Sequence, residues 1–81
     1  MSEKSRIRWL CRRGMKELDV LLERFMASAY DELNAEERQA FAALLEREDP
    51  DLYALLVQQM QPADALQARI IAHIGACARR T

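Results

Sequence analysis

The longest apolar pattern in the chain has a helical period: Leu18, Leu21, Leu22, Phe25 and Met26 stand at i, i+3, i+4, i+7 and i+8. Residues so spaced share one face of an α-helix, and that face must be covered by other elements. No stretch alternates apolar and polar residues between turn glycines, and the only glycines are Gly14 and Gly75. A chain of 81 residues buries only about 60% of its unfolded surface, which makes one domain and leaves little room for an enclosed active site. Half the residues are apolar and few are aromatic, a balance suited to helix-on-helix packing. The expected fold is all-α, a compact bundle of about five short helices in a single domain over residues 1–81.

Helix boundaries follow from the capping residues. A first short helix is expected behind Ser5, ending near Gly14 and carrying Ile7, Trp9, Leu10 and Cys11; a second runs from about Lys16 to Ala29, with Val20 off its stripe and covering a neighbour. Tyr30-Asp31-Glu32-Leu33 makes a connection, and Asn34-Ala35-Glu36-Glu37 has the form of an N-cap with a carboxylate at N3. The third helix buries Phe41, Leu44 and Leu45 and stops before Asp49-Pro50, where Asp caps and Pro fits N1 of a fourth. Leu52, Leu55, Leu56 and Met60 line that helix until Gln61-Pro62 breaks it. Asp64 with Gln67 caps a fifth, whose inner face holds Leu66, Ile70, Ile74 and Cys77 and whose end carries Arg79 and Arg80 on the favourable side of the dipole.

Between the first two helices lies Arg12-Arg13-Gly14-Met15-Lys16-Glu17-Leu18-Asp19. A helical Gly14 would cost roughly 0.5–1 kcal/mol relative to Ala, so its value lies in positive φ or close approach by a partner. Two local readings stay open. If the helix is continuous, Arg13 and Glu17 share a face and can pair for only about 0.3–0.5 kcal/mol, in the less favourable order. If Gly14 is instead the C′ residue of one helix, Arg13 sits at a helix C-terminus and Glu17 in a first turn, each on the favourable side of a dipole. Both readings expose a cation, a bare backbone patch and an anion together, the make-up of a docking surface.

The net charge of −1 hides an asymmetry: residues 1–16 set Lys4, Arg6, Arg8, Arg12, Arg13 and Lys16 against Glu3 alone, a balance of +5 that leaves −6 for the rest. Arg8, Arg12 and Lys16 therefore join Arg13, Gly14 and Glu17 as partner-binding candidates. Nucleic acid is disfavoured, because the cations come without a helix-turn-helix pattern, a zinc-finger spacing or an aromatic stacking platform. Asp31, Glu32, Glu36, Glu37, Glu46, Glu48, Asp49 and Asp51 lack a calcium-loop spacing and read as solvated surface, with Asp49 and Asp51 starting a helix. Cys11 and Cys77 form no CxxC and have no histidine at ligand spacing, so no metal site is expected. They read as reduced thiols, with a terminal disulfide left open. His73, among Ile70, Ile71 and Ile74, reads as a boundary residue. With no nucleophile–base spacing and no phosphate loop, an independent enzyme is not expected. Nothing resembles a secretory h-region or a bilayer span, which points to a cytoplasmic protein with no membrane insertion.

The run Trp9-Leu10-Cys11-Arg12-Arg13-Gly14-Met15-Lys16-Glu17-Leu18-Asp19, with its Arg-Gly-x-x-Glu signature at Arg13, Gly14 and Glu17, resembles the FAD assembly factors of the SdhE family. The likeness continues through Phe41-Ala42-Ala43-Leu44-Leu45-Glu46, Asp49-Pro50-Asp51-Leu52 and Pro62-Ala63-Asp64 and thins in the last helix. It implies a helper that binds the flavoprotein subunit of succinate dehydrogenase, with that of the related fumarate reductase as a further candidate, and promotes covalent attachment of FAD. It also implies that FAD stays on the flavoprotein, whose own histidine takes the flavin's 8α-methyl carbon, so that neither His73 nor a stably bound cofactor is needed here. The alternative, also attached to members of that family, is an antitoxin-like protein neutralising a small basic toxin; that role gives the Arg-Gly-x-x-Glu surface no purpose.

Overall fold

The computed structural model describes residues 2–79, and in it five α-helices and one 3-10 turn surround a common apolar core. They are α1 (Glu3–Leu10), α2 (Lys16–Ser28), the 3-10 turn Tyr30–Glu32, α3 (Ala35–Leu45), α4 (Asp49–Leu56) and α5 (Ala65–Arg79). α5 is the hub: it packs most extensively on α2 and also touches α3 and α4. The Cα radius of gyration is 11.5 Å, close to the roughly 12 Å expected of one folded unit of this length.

The expected stripe of α2 is the centre of the core. Leu18, Leu22, Phe25 and Met26 are buried, and Leu21 packs on their margin. Phe25 lies 4.8 Å from the Phe41 ring and 5.4 Å from that of His73, the latter edge-on. His73 is thus the half-buried boundary residue its neighbours suggested. α3 contributes Phe41, Leu44 and Leu45, α4 Leu52 and Leu55, and α5 Ile70, Ile71, Ile74 and Cys77, while Leu66 is only half-buried. Val20 is exposed.

Capping accounts for most boundaries. Asn34 Oδ1 accepts from Glu37 N at 2.8 Å while Asn34 N donates to Glu37 Oε1 at 3.0 Å, the reciprocal box expected. Asp64 Oδ1 likewise accepts from Gln67 N at 2.8 Å, and Gln67 reaches back to Ala63 N.

Four boundaries differ from expectation. α1 starts earlier, because Ser2 in extended conformation accepts from Ser5 N at 3.1 Å and takes the cap assigned to Ser5. α1 also ends at Leu10 with Cys11 as C-cap, so Gly14 is not its C′ residue. The cap of α4 is Glu48, with Asp49 and Pro50 inside the first turn. α4 then stops at Leu56: Gln58 adopts φ +65°, Gln58 N donates to Leu55 O at 3.2 Å and Gln59 N to Ala54 O at 2.8 Å. That is a Schellman closure with glutamine where glycine is usual. It strands Met60 on the surface instead of in the core.

The connection after α2 carries core residues as well: Tyr30 and Leu33 are buried, with the Arg38 guanidinium 5.1 Å from the Tyr30 ring centroid. Burial pushes the Tyr30 phenol above its ordinary value. The expectation for Arg79 and Arg80 falls on Arg80, outside the described residues, and on the Arg79 side chain, also undescribed.

Candidate functional site

The segment between α1 and α2 is a loop, because Gly14 has φ +83° and a helix cannot pass through that conformation. The continuous-helix reading, with Arg13 paired to Glu17, is thereby excluded. Gly14 is exposed, and a Cβ built on it would meet nothing within 4 Å. The glycine is required by backbone conformation and not by crowding from its own chain.

Arg13 is not the exposed cation the sequence suggested. Its side chain is only 13% exposed, and its Nε donates to Asp49 Oδ1 at 2.7 Å. Nη1 donates to Leu45 O at 2.6 Å and Leu10 O at 3.2 Å, and Nη2 to Arg47 O. The physical reason is the supply of unpaired acceptors. The last carbonyls of a helix have no intrahelical donor, and a cation there also meets the negative end of the dipole. Leu10 ends α1, Leu45 ends α3, and Asp49 opens α4, so one planar guanidinium joins three helix ends. Asp19, in α2, completes the fixture: its Oδ1 accepts from the backbone N of Arg13 at 2.7 Å. Asp49, expected as a cap on a solvated surface, is the counter-ion instead.

With Arg13 turned inward, the remaining candidates divide. Arg8, Arg12 and Gly14 come together along an open groove of about 740 Å³, whose α2 side carries Asp19, Glu23 and Met26. Lys16 and Glu17 are exposed at the start of α2 but do not line it. Met15, the N-cap residue, offers no side-chain hydrogen bond, so Glu17 and Asp19 are what complement the dipole of α2. Cys11 forms part of the groove floor; burial pushes its thiol up to about 11, against the opposing pull of Arg13 and Arg8. Both cysteines are buried free thiols, which answers the disulfide question.

Trp9 was missed as a surface residue. Grouped with the apolar residues of α1, it is 70% exposed, whereas Ile7 and Cys11, four apart, occupy the buried face. The spacing held the signal, since residue 9 falls on the far side of a helix whose inner face is set by residues 7 and 11. No comparable signal marked Asp19 or Asp49. Among the described residues, no group of three or more His, Cys, Asp or Glu could hold a metal ion, and no helix is long and apolar enough to cross a membrane.

The family model described as "Flavinator of succinate dehydrogenase" matches residues 5–78, nearly the whole chain and all of this loop. The chain belongs to that family. It is 43% identical over 74 residues to the FAD assembly factor SdhE of Pectobacterium atrosepticum, covering 91% of this chain and 84% of the relative. It is 45% identical over 71 residues to that of Idiomarina loihiensis, covering 88% and 79%. It is also 45% identical over 75 residues to that of Legionella pneumophila, covering 93% and 94%. These likenesses lend no support to the antitoxin-like alternative.

Proposed function

We propose that this protein is an assembly factor that binds the flavoprotein subunit of succinate dehydrogenase and promotes covalent attachment of FAD to it, with the fumarate reductase flavoprotein as a second target. The observation that carries the reading is the bare, positive-φ Gly14 at an exposed loop, beside Arg8 and Arg12 and followed by Glu17, in a chain of the flavinator family. Gly14 permits close backbone approach, Arg8, Arg12 and Lys16 answer carboxylates on the partner, and Glu17 answers a cation. The exposed Trp9 indole adds an aromatic anchor, the residue type that most often dominates binding energy at an interface.

The role is positional and not catalytic. FAD stays on the flavoprotein, where its 8α-methyl carbon is bonded to a histidine of that subunit. Holding flavin and histidine in a near-attack arrangement can lower a barrier by several kcal/mol, up to roughly 7–11 in the best intramolecular cases, with no reacting group from the helper. The encounter is cytoplasmic, before the flavoprotein joins its membrane partners.

The test is in-gel flavin fluorescence of the denatured flavoprotein from cells with and without this protein. Fluorescence lost in its absence, restored by the wild type and not by Gly14→Arg or Glu17→Ala, is the expected result. Unchanged fluorescence at equal flavoprotein abundance would overturn the proposal.

A further inference from the structure

We infer that Arg13, Asp19 and Asp49 are positioning residues for partner binding: they fix the Gly14–Glu17 segment from within the bundle and do not themselves touch the flavoprotein. The inference rests on the proposed function and deepens it, since it divides the Arg-Gly-x-x-Glu signature into an inward anchor and an outward face. It also adds two acidic residues, one of them 36 positions from Arg13, to the determinants of flavinylation.

The other ties of the loop are few: Met15 packs half-buried on the margin of the core, Asp19 N donates to Met15 O at 2.9 Å and Arg12 N to Trp9 O at 3.1 Å. Gly14 is exposed, a Cβ built on it would meet nothing within 4 Å, and Met15 caps α2 with no side-chain hydrogen bond. What ties the segment down is Arg13, through its backbone to Asp19 at 2.7 Å and through its guanidinium to Asp49 Oδ1, Leu45 O, Leu10 O and Arg47 O. Those acceptors belong to α1, to α4 and to the α3–α4 junction, all packed into or beside the core, so the loop inherits its position from the bundle. Four of the donors that a guanidinium can offer are spent on the protein itself, and the side chain is almost covered. Little of Arg13 is left to present to a partner. Without Asp49 the cation has lost its counter-ion and the α4 end of the clamp. Gly14 and Glu17 would then sample positions from which they can no longer engage one rigid surface together, and affinity falls although neither has changed.

A double-mutant cycle separates this from direct contact, because two residues acting through one clamp are non-additive whereas independent contacts add. Binding of the purified succinate dehydrogenase flavoprotein carrying noncovalent FAD is measured for the wild type, Arg13→Gln, Asp49→Asn and the double variant. Each chain's folded fraction at the assay temperature is read by circular dichroism and divided out, and Arg13→Lys replaces Arg13→Gln if the latter does not fold. In parallel, amide hydrogen exchange is followed at Arg13 and Asp19 in the loop fixture and at Leu22 and Phe25 in the core. The expected result is a loss of about tenfold for each single variant and no more than about twice that for the double, with exchange faster at Arg13 and Asp19 but not at Leu22 and Phe25. Asp19→Asn gives the same pattern. Losses that multiply in the double variant would overturn the inference by making Arg13 a contact in its own right. Full affinity in Asp49→Asn, or core exchange rising in step with that of the loop, would overturn it equally. A wild-type chain that binds no flavoprotein fails the proposed function and the inference together, and is distinguished from those outcomes by the first measurement of the cycle.

Discussion

Replacing Gly14 separates backbone conformation from surface shape, since the two make different demands at this position. At φ +83° an L-residue costs about 1–2 kcal/mol through the approach of Cβ to the following carbonyl. Loss of unfolded-chain freedom on leaving glycine returns about 0.4–1 kcal/mol. A Cβ here would meet nothing within 4 Å, so no packing cost is added and the net for Gly14→Ala is about 1 kcal/mol. In a domain of this size that lowers Tm by about 4–8 °C. Gly14→Arg should be no less stable than Gly14→Ala, because the additional atoms point into solvent, and Gly14→Asn should lose least, asparagine tolerating the left-handed region. Flavoprotein affinity should follow a different order, falling with side-chain volume from Ala to Asn to Arg. Thermal melts by circular dichroism and binding titrations on the same three variants provide both series. An unchanged Tm in Gly14→Ala, or an unfolded Gly14→Arg beside a folded Gly14→Ala, would refute the reasoning.

Other perturbations test the fold that carries the loop. Phe25→Ala removes the ring between Phe41 and His73 and should cost about 3–5 kcal/mol in a denaturant titration, with affinity unchanged once corrected for folded fraction. Gln58→Gly relieves a glutamine at φ +65° in the closure of α4 and should raise stability by up to about 1 kcal/mol, read as a shifted urea midpoint. Stability should also fall at alkaline pH. The Cys11 thiol is pushed by burial from 9.0 to about 11, so its contribution is complete below pH 9.0 and is lost as pH rises through about 11, where folded and unfolded chains ionise alike. Cys11→Ala should flatten that part of the pH profile in chemical denaturation.

Much of the architecture was legible because the forces that fix it act over one or two turns. Period-3.6 spacing placed the face of α2, and the Asn34–Glu37 and Asp64–Gln67 pairs each lie within four residues. Where reading along the chain failed, competition between nearly equivalent local choices was the reason. Ser2 and Ser5 can both cap, as can Glu48 and Asp49, and a glutamine can close a helix when the tertiary fold supports its left-handed conformation. Trp9 reads as apolar by type and Met60 by its spacing from Leu52, Leu55 and Leu56, but the face of α1 and the early stop of α4 leave both outside.

In the candidate site the division is sharper. Helices, and a glycine beside a concentration of cations, are legible along the chain because each depends on neighbours a few residues away, but whether a helix runs through Gly14 is not. The fold closes that question with φ +83° at Gly14 and also sets which charges face out. Arg8, Arg12, Lys16 and Glu17 remain on the surface, whereas Arg13, beside them in the chain, is drawn inward by Leu45 O, Arg47 O and Asp49, which lie 32 to 36 residues away. Leu45 O lacks an intrahelical donor because α3 ends there, Arg47 O lies in the turn that follows and Asp49 brings a side-chain carboxylate from the start of α4; the three converge on one guanidinium only because the helix ends meet in the fold.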